Sequence, residues 1–251
     1  MLWYKAWIES RTRFILIAVC LTVFCAAVVL FHGQVEPVLT EALRGLRSRT
    51  FSGHVYSLVY SGTAKGMFAI LVIFLGLGGL GRERTHGTAF FTLALPATRF
   101  QIIVAQMAVG LLELAILSLL PALSIPPLSV LVHQYYPFTQ ALHFSVLWFC
   151  CGSIVFAASF FLSVVLPGEY TAPVACFLIM MLDAGASDWR PVIVWRLNLM
   201  WTMGDFNTMH WDPELNLLLS APLPWARLAV IMFLALCMLA AAVRSTRKQD
   251  F

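Results

Sequence analysis

The sequence predicts an all-α integral membrane protein with six transmembrane helices and an N-terminal interfacial helix. Of its 251 residues, 61% are hydrophobic and 11% are charged, whereas soluble domains carry about 25% charged residues. A spanning helix needs about 20 apolar residues, so the chain has room for about five to seven spans. We therefore expect a single membrane domain over residues 1–251 and no second globular domain.

The N-terminal residues predict a helix lying in the membrane interface, followed by the first span. At helical spacing, residues 1–13 would form one apolar side and one basic side. The apolar side consists of Trp3, Tyr4, Trp7 and Ile8, and the basic side of Lys5, Arg11 and Arg13. Residues 14–31 form the first span, and their twelve Leu, Ile, Val or Phe side chains favour insertion by roughly 4 to 7 kcal/mol. This run is longer than that of a signal peptide, so we expect an uncleaved helix.

Five further apolar runs predict the remaining spans, at 64–80, 102–120, 141–166, 171–183 and 225–243. The run at 171–183 is the weakest, because it is short and contains Pro173. Lys65, at the outer end of the second span, is expected to snorkel to water. We expect loops over 33–63 and 121–140, and interfacial segments rich in tryptophan over 184–224, whose structure the sequence does not define.

Basic residues favour a topology with both termini in the cytoplasm. Six spans place the termini on one side, which carries nine Lys and Arg residues against seven on the other. Most of the nine lie directly against span ends, where they influence topology most, although the basic cluster at 44–49 argues for the opposite orientation. We expect a multi-pass protein of the cell membrane, embedded in the lipid bilayer, with no nucleic-acid partner.

Motifs for enzymatic chemistry do not occur in the sequence. It contains no G-x-x-x-x-G-K-[ST], H-E-x-x-H or G-x-S-x-G, so we expect no catalytic, cofactor-binding or metal-binding residues and no enzyme activity in this chain. The six cysteines lie in apolar runs without C-x-x-C spacing and are expected to be buried thiols. Residues 76–81 match G-x-G-x-x-G, but no βαβ unit surrounds them, so we expect a helix end with either close packing or freedom to bend.

The polar segment 82–99, between the second and third predicted spans, has the composition of a docking element. Charged residues lie at both ends, Gly87 permits a turn, and Pro96 stops an apolar ridge just before the third span. The apolar ridge consists of Phe90, Phe91, Leu93 and Leu95. Such a ridge suits a groove on another protein, although an amphipathic loop without a partner would have the same composition.

The order of residues in this segment resembles the cytoplasmic segment of type-2 ABC transporter permeases, the ABC-2 family. In that family, charged residues around a glutamate precede Gly-Thr, an apolar turn, Leu-Pro, and a small hydroxyl residue before Arg or Lys. The matching positions here are Arg82-Glu83-Arg84, Gly87-Thr88, Leu95-Pro96 and Thr98-Arg99. Thr85 departs from the pattern, since many members have a second acidic residue there. The six spans, the interfacial head and the basic tail extend the resemblance over nearly the whole chain.

The resemblance implies a membrane-spanning permease subunit of an ATP-driven ABC exporter. The segment would act as a coupling helix on a separate ATP-binding subunit, which would hold ATP and Mg. A second permease, identical or related, would complete the pore. The partner-coupling residues that the resemblance implies are Glu83, Gly87, Thr88, Phe90, Phe91, Leu93, Leu95, Pro96 and Arg99. It does not select the cargo among drugs, peptides, lipids and glycans.

Glu113, near the middle of the third predicted span, is a candidate residue of a transport pathway, because intramembrane acids commonly mark functional sites. Alternatively, it bonds to Ser, Thr, Gln or the backbone at a helix contact. Gln106 lies seven residues earlier and is expected on the same face of the helix. Asp183, at the outer boundary of the fifth predicted span, is expected to have no special role.

Two other classes of function fit the same composition. A membrane-anchored assembly or signalling protein with no transport activity would use the apolar ridge for a different partner. An intramembrane enzyme acting on lipids or peptides would need Glu113 or a histidine as a catalytic group. The six histidines lie far apart in the sequence, which disfavours the enzyme.

Overall fold

A computed structural model describes residues 2–31, 51–77, 99–166, 171–185, 199–204, 210–212, 217–219 and 222–248. The elements in this part of the chain are α1 (Leu2–Leu30), α2 (Phe51–Val55), a π-helical turn (Tyr56–Tyr60), α3 (Thr63–Leu75), α4 (Arg99–Leu131), α5 (Phe138–Val165), α6 (Thr171–Gly185), α7 (Leu199–Met203), β1 (His210–Asp212), β2 (Leu217–Leu219) and α8 (Trp225–Lys248). The two strands pair antiparallel as a short ribbon.

Five stretches of helix are long and apolar enough to cross a membrane: Ser10–Leu30, Phe51–Leu75, Phe100–Leu131, Phe138–Val165 and Trp225–Thr246. The chain is therefore a predominantly helical, multi-pass membrane protein. The predicted spans at 141–166 and 225–243 correspond to α5 and α8. The predicted span at 171–183 corresponds to α6, whose 15 residues extend only about 22 Å. Since the apolar core of a bilayer is about 30 Å thick, α6 is too short to establish a sixth crossing.

The predicted interfacial head and the first span form one continuous helix, α1, instead of two elements. Residues 2–30 contain no glycine or proline that would break the helix. The head packs along α4, which buries Ala6, and the rings of Trp7 and Phe14 lie 5.6 Å apart across the expected junction. The separate interfacial helix is therefore replaced by an extension of α1, whose full length of about 43 Å exceeds the apolar core.

The second membrane element begins at Phe51, within the segment that the sequence predicted to be a polar loop. Serine and glycine residues interrupt its apolar pattern, but Val55, Tyr56, Val59 and Tyr60 are all buried. The helix passes through the π-helical turn and bends at residues 61–62 before α3 begins. A Cβ atom at Gly62 would collide with the carbonyl oxygen of Ser57, so the bend requires glycine.

The third membrane helix, α4, continues through residues 121–131, where the sequence predicted a loop. Its interior contains Pro121, Pro126 and Pro127, and prolines are tolerated in membrane helices because neighbouring groups can compensate for lost main-chain bonds. Hydroxyls in the same region turn back to the main chain: Ser124 donates to the Leu120 carbonyl at 2.8 Å. The proline-rich loop is thus corrected to a helical extension of the third span.

Contacts between helices define a near end of the bundle, where α1 begins, and a far end, where α1 ends. Helix α4 runs parallel to α1, since residues 2–6 meet residues 102–106 and Ser10 meets Glu113. Helix α3 ends at the near end, where Leu77 meets Arg13, so α2 lies at the far end. Strand β2 contacts α2, which places the start of α8 at the far end as well.

Helix α5 is the central helix and packs against α3, α4, α6 and α8. Several of its large side chains are fully buried, among them Trp148 and Phe156. Small residues allow the helices to approach closely, as is typical in membranes. A Cβ atom at Gly110 of α4 would lie only 2.5 Å from the Phe156 ring. The α4–α5 contact therefore depends on the absence of a side chain at Gly110.

The cysteines are divided between the core and the outer surface of the bundle. Cys25, Cys150, Cys151 and Cys176 are buried, as expected for thiols in apolar runs, whereas Cys20 and Cys237 are exposed. The expectation that all six are buried is therefore wrong for two of them. Both lie on long apolar helices, on surfaces that an isolated chain leaves open to lipid.

Candidate functional site

The predicted coupling residues lie almost entirely outside the described part of the chain. This holds for Glu83, Gly87, Thr88, Phe90, Phe91, Leu93, Leu95 and Pro96. Arg99 is the first residue of α4, but its side chain is also outside the description. The structure instead describes the two roots of segment 82–99, which are the end of α3 up to Leu77 and the start of α4.

Both roots lie against the first turns of α1. The guanidinium of Arg13 donates from Nη1 to the carbonyl oxygen of Leu77 at 2.7 Å. At the other root, residues of α1 and α4 line a shared crevice, namely Leu2, Lys5 and Ala6 with Ile102 and Gln106. The described end of the second membrane element and the start of α4 therefore lie at the same, near end.

The glycine-rich end of the second span packs closely against α5, as predicted. A Cβ atom at Gly76 would lie 2.7 Å from the Cβ atom of Ser159. The Ser159 hydroxyl donates to the Ile73 carbonyl at 2.7 Å, which fixes the crossing at this point. Close packing is thus confirmed for Gly76, while the other glycines of the motif lie outside the described residues.

Glu113 is fully buried at the contact between α4 and α1. The hydroxyl of Ser10 donates to its Oε1 atom, and its Oε2 atom has no hydrogen-bond partner among the described residues. This geometry corresponds to the helix-contact alternative that the sequence left open. A role for Glu113 in a transport pathway stays a prediction. Asp183 falls within α6, but its side chain is not described.

Gln106 faces the same neighbour as Glu113. It lines the crevice with residues of α1, and its Oε1 atom is buried without a partner within the described ranges. The expectation that Gln106 and Glu113 share one face of the helix is therefore confirmed. Together they form a polar stripe on α4 that is directed at α1.

The polar stripe offers hydrogen-bonding groups to α1, as the bond between Ser10 and Glu113 shows. No group of three His, Cys, Asp or Glu side chains among the described residues could hold a metal ion. Nucleophilic catalysis needs a nucleophile, a base and an orienting group in contact, whereas the observed pair is one carboxyl group and one hydroxyl. The arrangement suits an interhelical bond between α1 and α4.

A second polar site lies at the far end of the bundle and was not predicted. Lys65, expected to snorkel, is only 7% exposed and donates from Nζ to the carbonyl oxygen of Met200 at 3.2 Å. The hydroxyl of Tyr56 donates to the carbonyl oxygen of Gly204 at 2.8 Å. Main-chain acceptors more than 130 residues away have no signature in the sequence, so pattern analysis could not find these bonds.

An aromatic cluster supports the second polar site. Tyr60 stacks on Phe144 with a centroid distance of 4.0 Å and meets the edge of Trp148 at 5.9 Å. Tyr136, between α4 and α5, stacks on Tyr60 at 6.4 Å. Burial raises the pKa of the Tyr136 phenol well above its usual range, although the Tyr60 hydroxyl lowers it in part. The cluster is therefore tightly packed between the second and fourth membrane elements.

The fold and these contacts define a helical, multi-pass membrane protein whose second and third membrane elements are linked through α1 at one end. No protein-family model matches the chain, and no curated protein is significantly similar to it. The resemblance of segment 82–99 to ABC-2 permeases therefore rests on the residues of that segment and on the pattern of apolar helices.

Proposed function

We propose that the chain is the membrane-spanning permease subunit of an ATP-driven ABC exporter of the ABC-2 type. Segment 82–99 would couple it to a separate ATP-binding subunit, where ATP and Mg would be bound and hydrolysed. The observation that best supports the proposal is that both roots of this segment meet α1 at the near end. A docking element needs such an attachment if a force applied to it is to move the membrane helices.

The attachment of the roots suggests how the force would be transmitted. Arg13 bonds to the end of α3, and Ser10 bonds to α4 through Glu113. Ser10 and Arg13 are three residues apart on α1, which places them on the same side of the helix. A push on segment 82–99 would therefore move α1, α3 and α4 together as one rigid body.

A second permease, either an identical copy or a related chain, would supply the other half of the pathway. The near end would face the cytoplasm of the cell, with both termini on that side of the cell membrane. Rigid-body movement of the two permeases against each other would open the path outward. The chain itself would then be a transporter subunit with no enzyme activity.

The test is the dependence of ATPase association on the apolar ridge. The protein is purified in mild detergent from its native membranes, and co-purifying chains are identified by mass spectrometry. We expect a P-loop ATPase with the parent protein and its loss from the triple variant Phe90→Asp, Phe91→Asp, Leu95→Asp, because three buried charges would prevent docking. The matched control, Leu43→Asp with Leu46→Asp in the first loop, should retain the ATPase.

Two results would contradict the proposal. Retention of the ATPase by the triple variant would show that the ridge is not the coupling element. Absence of any P-loop ATPase from the parent complex would instead favour a membrane-anchored assembly or signalling protein.

A further inference from the structure

The short helix α7 is docked into the far end of the bundle. Thr202 and Met203 are 3% and 0% exposed, and Gly204 is also buried. Helix α7 contacts both α5 and α6. Residues 199–204 thus cover the far ends of the membrane helices, and we refer to them as the far-end cap.

The far-end cap is held through its main chain by two side chains of the second membrane element. Tyr56 bonds to the carbonyl oxygen of Gly204, and Lys65 bonds to that of Met200. The Met200 carbonyl also accepts a hydrogen bond from the Gly204 N–H at 3.4 Å, so Lys65 is its second donor. Gly204 directly follows the end of α7, where main-chain acceptors lack intrahelical partners. Both bonds end on main-chain carbonyl oxygens, so neither bond uses a side chain of the cap.

The two donors lie on opposite sides of the bend in the second membrane element. Tyr56 begins the π-helical turn, and Lys65 follows in the first turn of α3, with the Gly62 bend between them. The distance between the two donor groups therefore depends on the bend angle. Because π-helical turns are frequent at functional sites, this irregular segment is the candidate for a conformational change.

The cap consists of residues 199–204 alone, so lifting it separates a shorter stretch of chain than moving any of the long helices. Water can replace a side chain as the partner of a main-chain carbonyl when the cap lifts, whereas apolar helix contacts have no such substitute. Met203, the cap residue that packs into the apolar core, has an unbranched side chain that adapts to more than one packing arrangement. The aromatic cluster around Tyr60 would remain as a fixed support.

We propose that residues 199–204 form a lid over the far end of the bundle, which Tyr56 and Lys65 hold shut from both sides of the bend. A change in the bend angle moves one donor away from its carbonyl and allows the lid to open. The lid does not depend on the identity of the coupling partner, so it can be tested whether or not the chain is a permease.

The test is hydrogen–deuterium exchange of the purified full-length protein in lipid nanodiscs, followed by mass spectrometry. We compare the parent with Tyr56→Phe, which removes one hydroxyl, and with Lys65→Met, which removes the ammonium group. In Tyr56→Phe, opening of the lid should speed hydrogen exchange of the amides in 199–204 about fivefold. In Lys65→Met the increase should be about tenfold or more, because a charged donor makes the stronger bond. Peptides within α5 should exchange as slowly as in the parent.

Thr22→Ala is the matched control, because its hydroxyl bonds to the Ala18 carbonyl within α1, outside both the bend and the lid. Its exchange in 199–204 should equal that of the parent. Unchanged protection of 199–204 in both Tyr56→Phe and Lys65→Met would overturn the proposal. Faster exchange spread equally over α5 would also overturn it, because the two residues would then stabilise the whole bundle.

Discussion

The two ends of the helix bundle are held together in different ways. At the near end, long helices bond directly to one another: α1 joins α3 through Arg13 and α4 through Ser10, and Gly76 packs tightly against Ser159. At the far end, a bent helix bonds through Tyr56 and Lys65 to the main chain of a five-residue helix. The near end is thus built as a unit, while the far end contains a separable part.

This difference indicates a division of roles between the two ends. A unit of three joined helices can transmit a movement from segment 82–99 without deforming. A small cap bonded on both sides of a bend can respond to such a movement by opening. The proposed coupling site and the proposed lid therefore lie at opposite ends of the same second membrane element, which begins at the lid and ends at the first root.

Among small substitutions, we expect the largest loss of stability at Gly62, in the bend at the far end. In Gly62→Ala, the new methyl group would collide with the main-chain oxygen of Ser57, which cannot move without straightening the helix. Overpacking of this kind costs about 3 kcal/mol, which corresponds to a fall in Tm of about 6 to 12 °C. Thermal unfolding in detergent, followed by size-exclusion chromatography, measures this change.

Gly66→Ala is the control for this substitution, because nothing lies within 4 Å of its Cβ position. Within a helix this change should be neutral or slightly stabilising. If Gly62→Ala were as stable as Gly66→Ala, the bend would not be a fixed feature of the second membrane element. The far end would then lack the bend on which the contrast with the near end rests.

A smaller effect is expected at the bond between Ser10 and Glu113 of the near end. A double-mutant cycle of Ser10→Ala and Glu113→Leu should give a coupling energy of about 0.6 kcal/mol, the typical value for hydrogen bonds between membrane helices. The unfolding equilibrium of the four proteins provides the measurement. Ser118→Ala, whose hydroxyl bonds to Ala115 within α4, should show no coupling with Glu113→Leu. Strict additivity for Ser10 and Glu113 would mean that α1 and α4 are not joined at this point.

Helices with uninterrupted apolar runs were the most predictable part of the fold. Helices α5 and α8 follow the predicted spans because their sequences contain long apolar stretches with few polar residues. The errors arose where residues that usually mark loops lie inside membrane helices. Prolines at 121, 126 and 127 suggested a loop, and the serines and glycines of residues 52–62 concealed the start of the second element. In a bundle, neighbouring helices and hydroxyl groups make such residues tolerable.

The functional residues were predictable to a smaller extent. The spacing of Gln106 and Glu113 correctly indicated one shared face, because helical periodicity alone determines it. Their partner on α1 and the bonds from Tyr56 and Lys65 could not be predicted, since they join residues about 100 to 150 positions apart. Local patterns define faces of helices, whereas the choice of neighbour depends on how the whole bundle packs.

The central claim is that segment 82–99 lies on the same side of the membrane as both termini. Single cysteines at Thr92, Ser48 and Ser245 can be labelled with a membrane-impermeant maleimide in vesicles of both orientations. The parent is a suitable blank, since its six cysteines all lie within helices. We predict that Thr92→Cys and Ser245→Cys react from the cytoplasmic side and Ser48→Cys from the opposite side. Reaction of Thr92→Cys from the same side as Ser48→Cys would contradict the account.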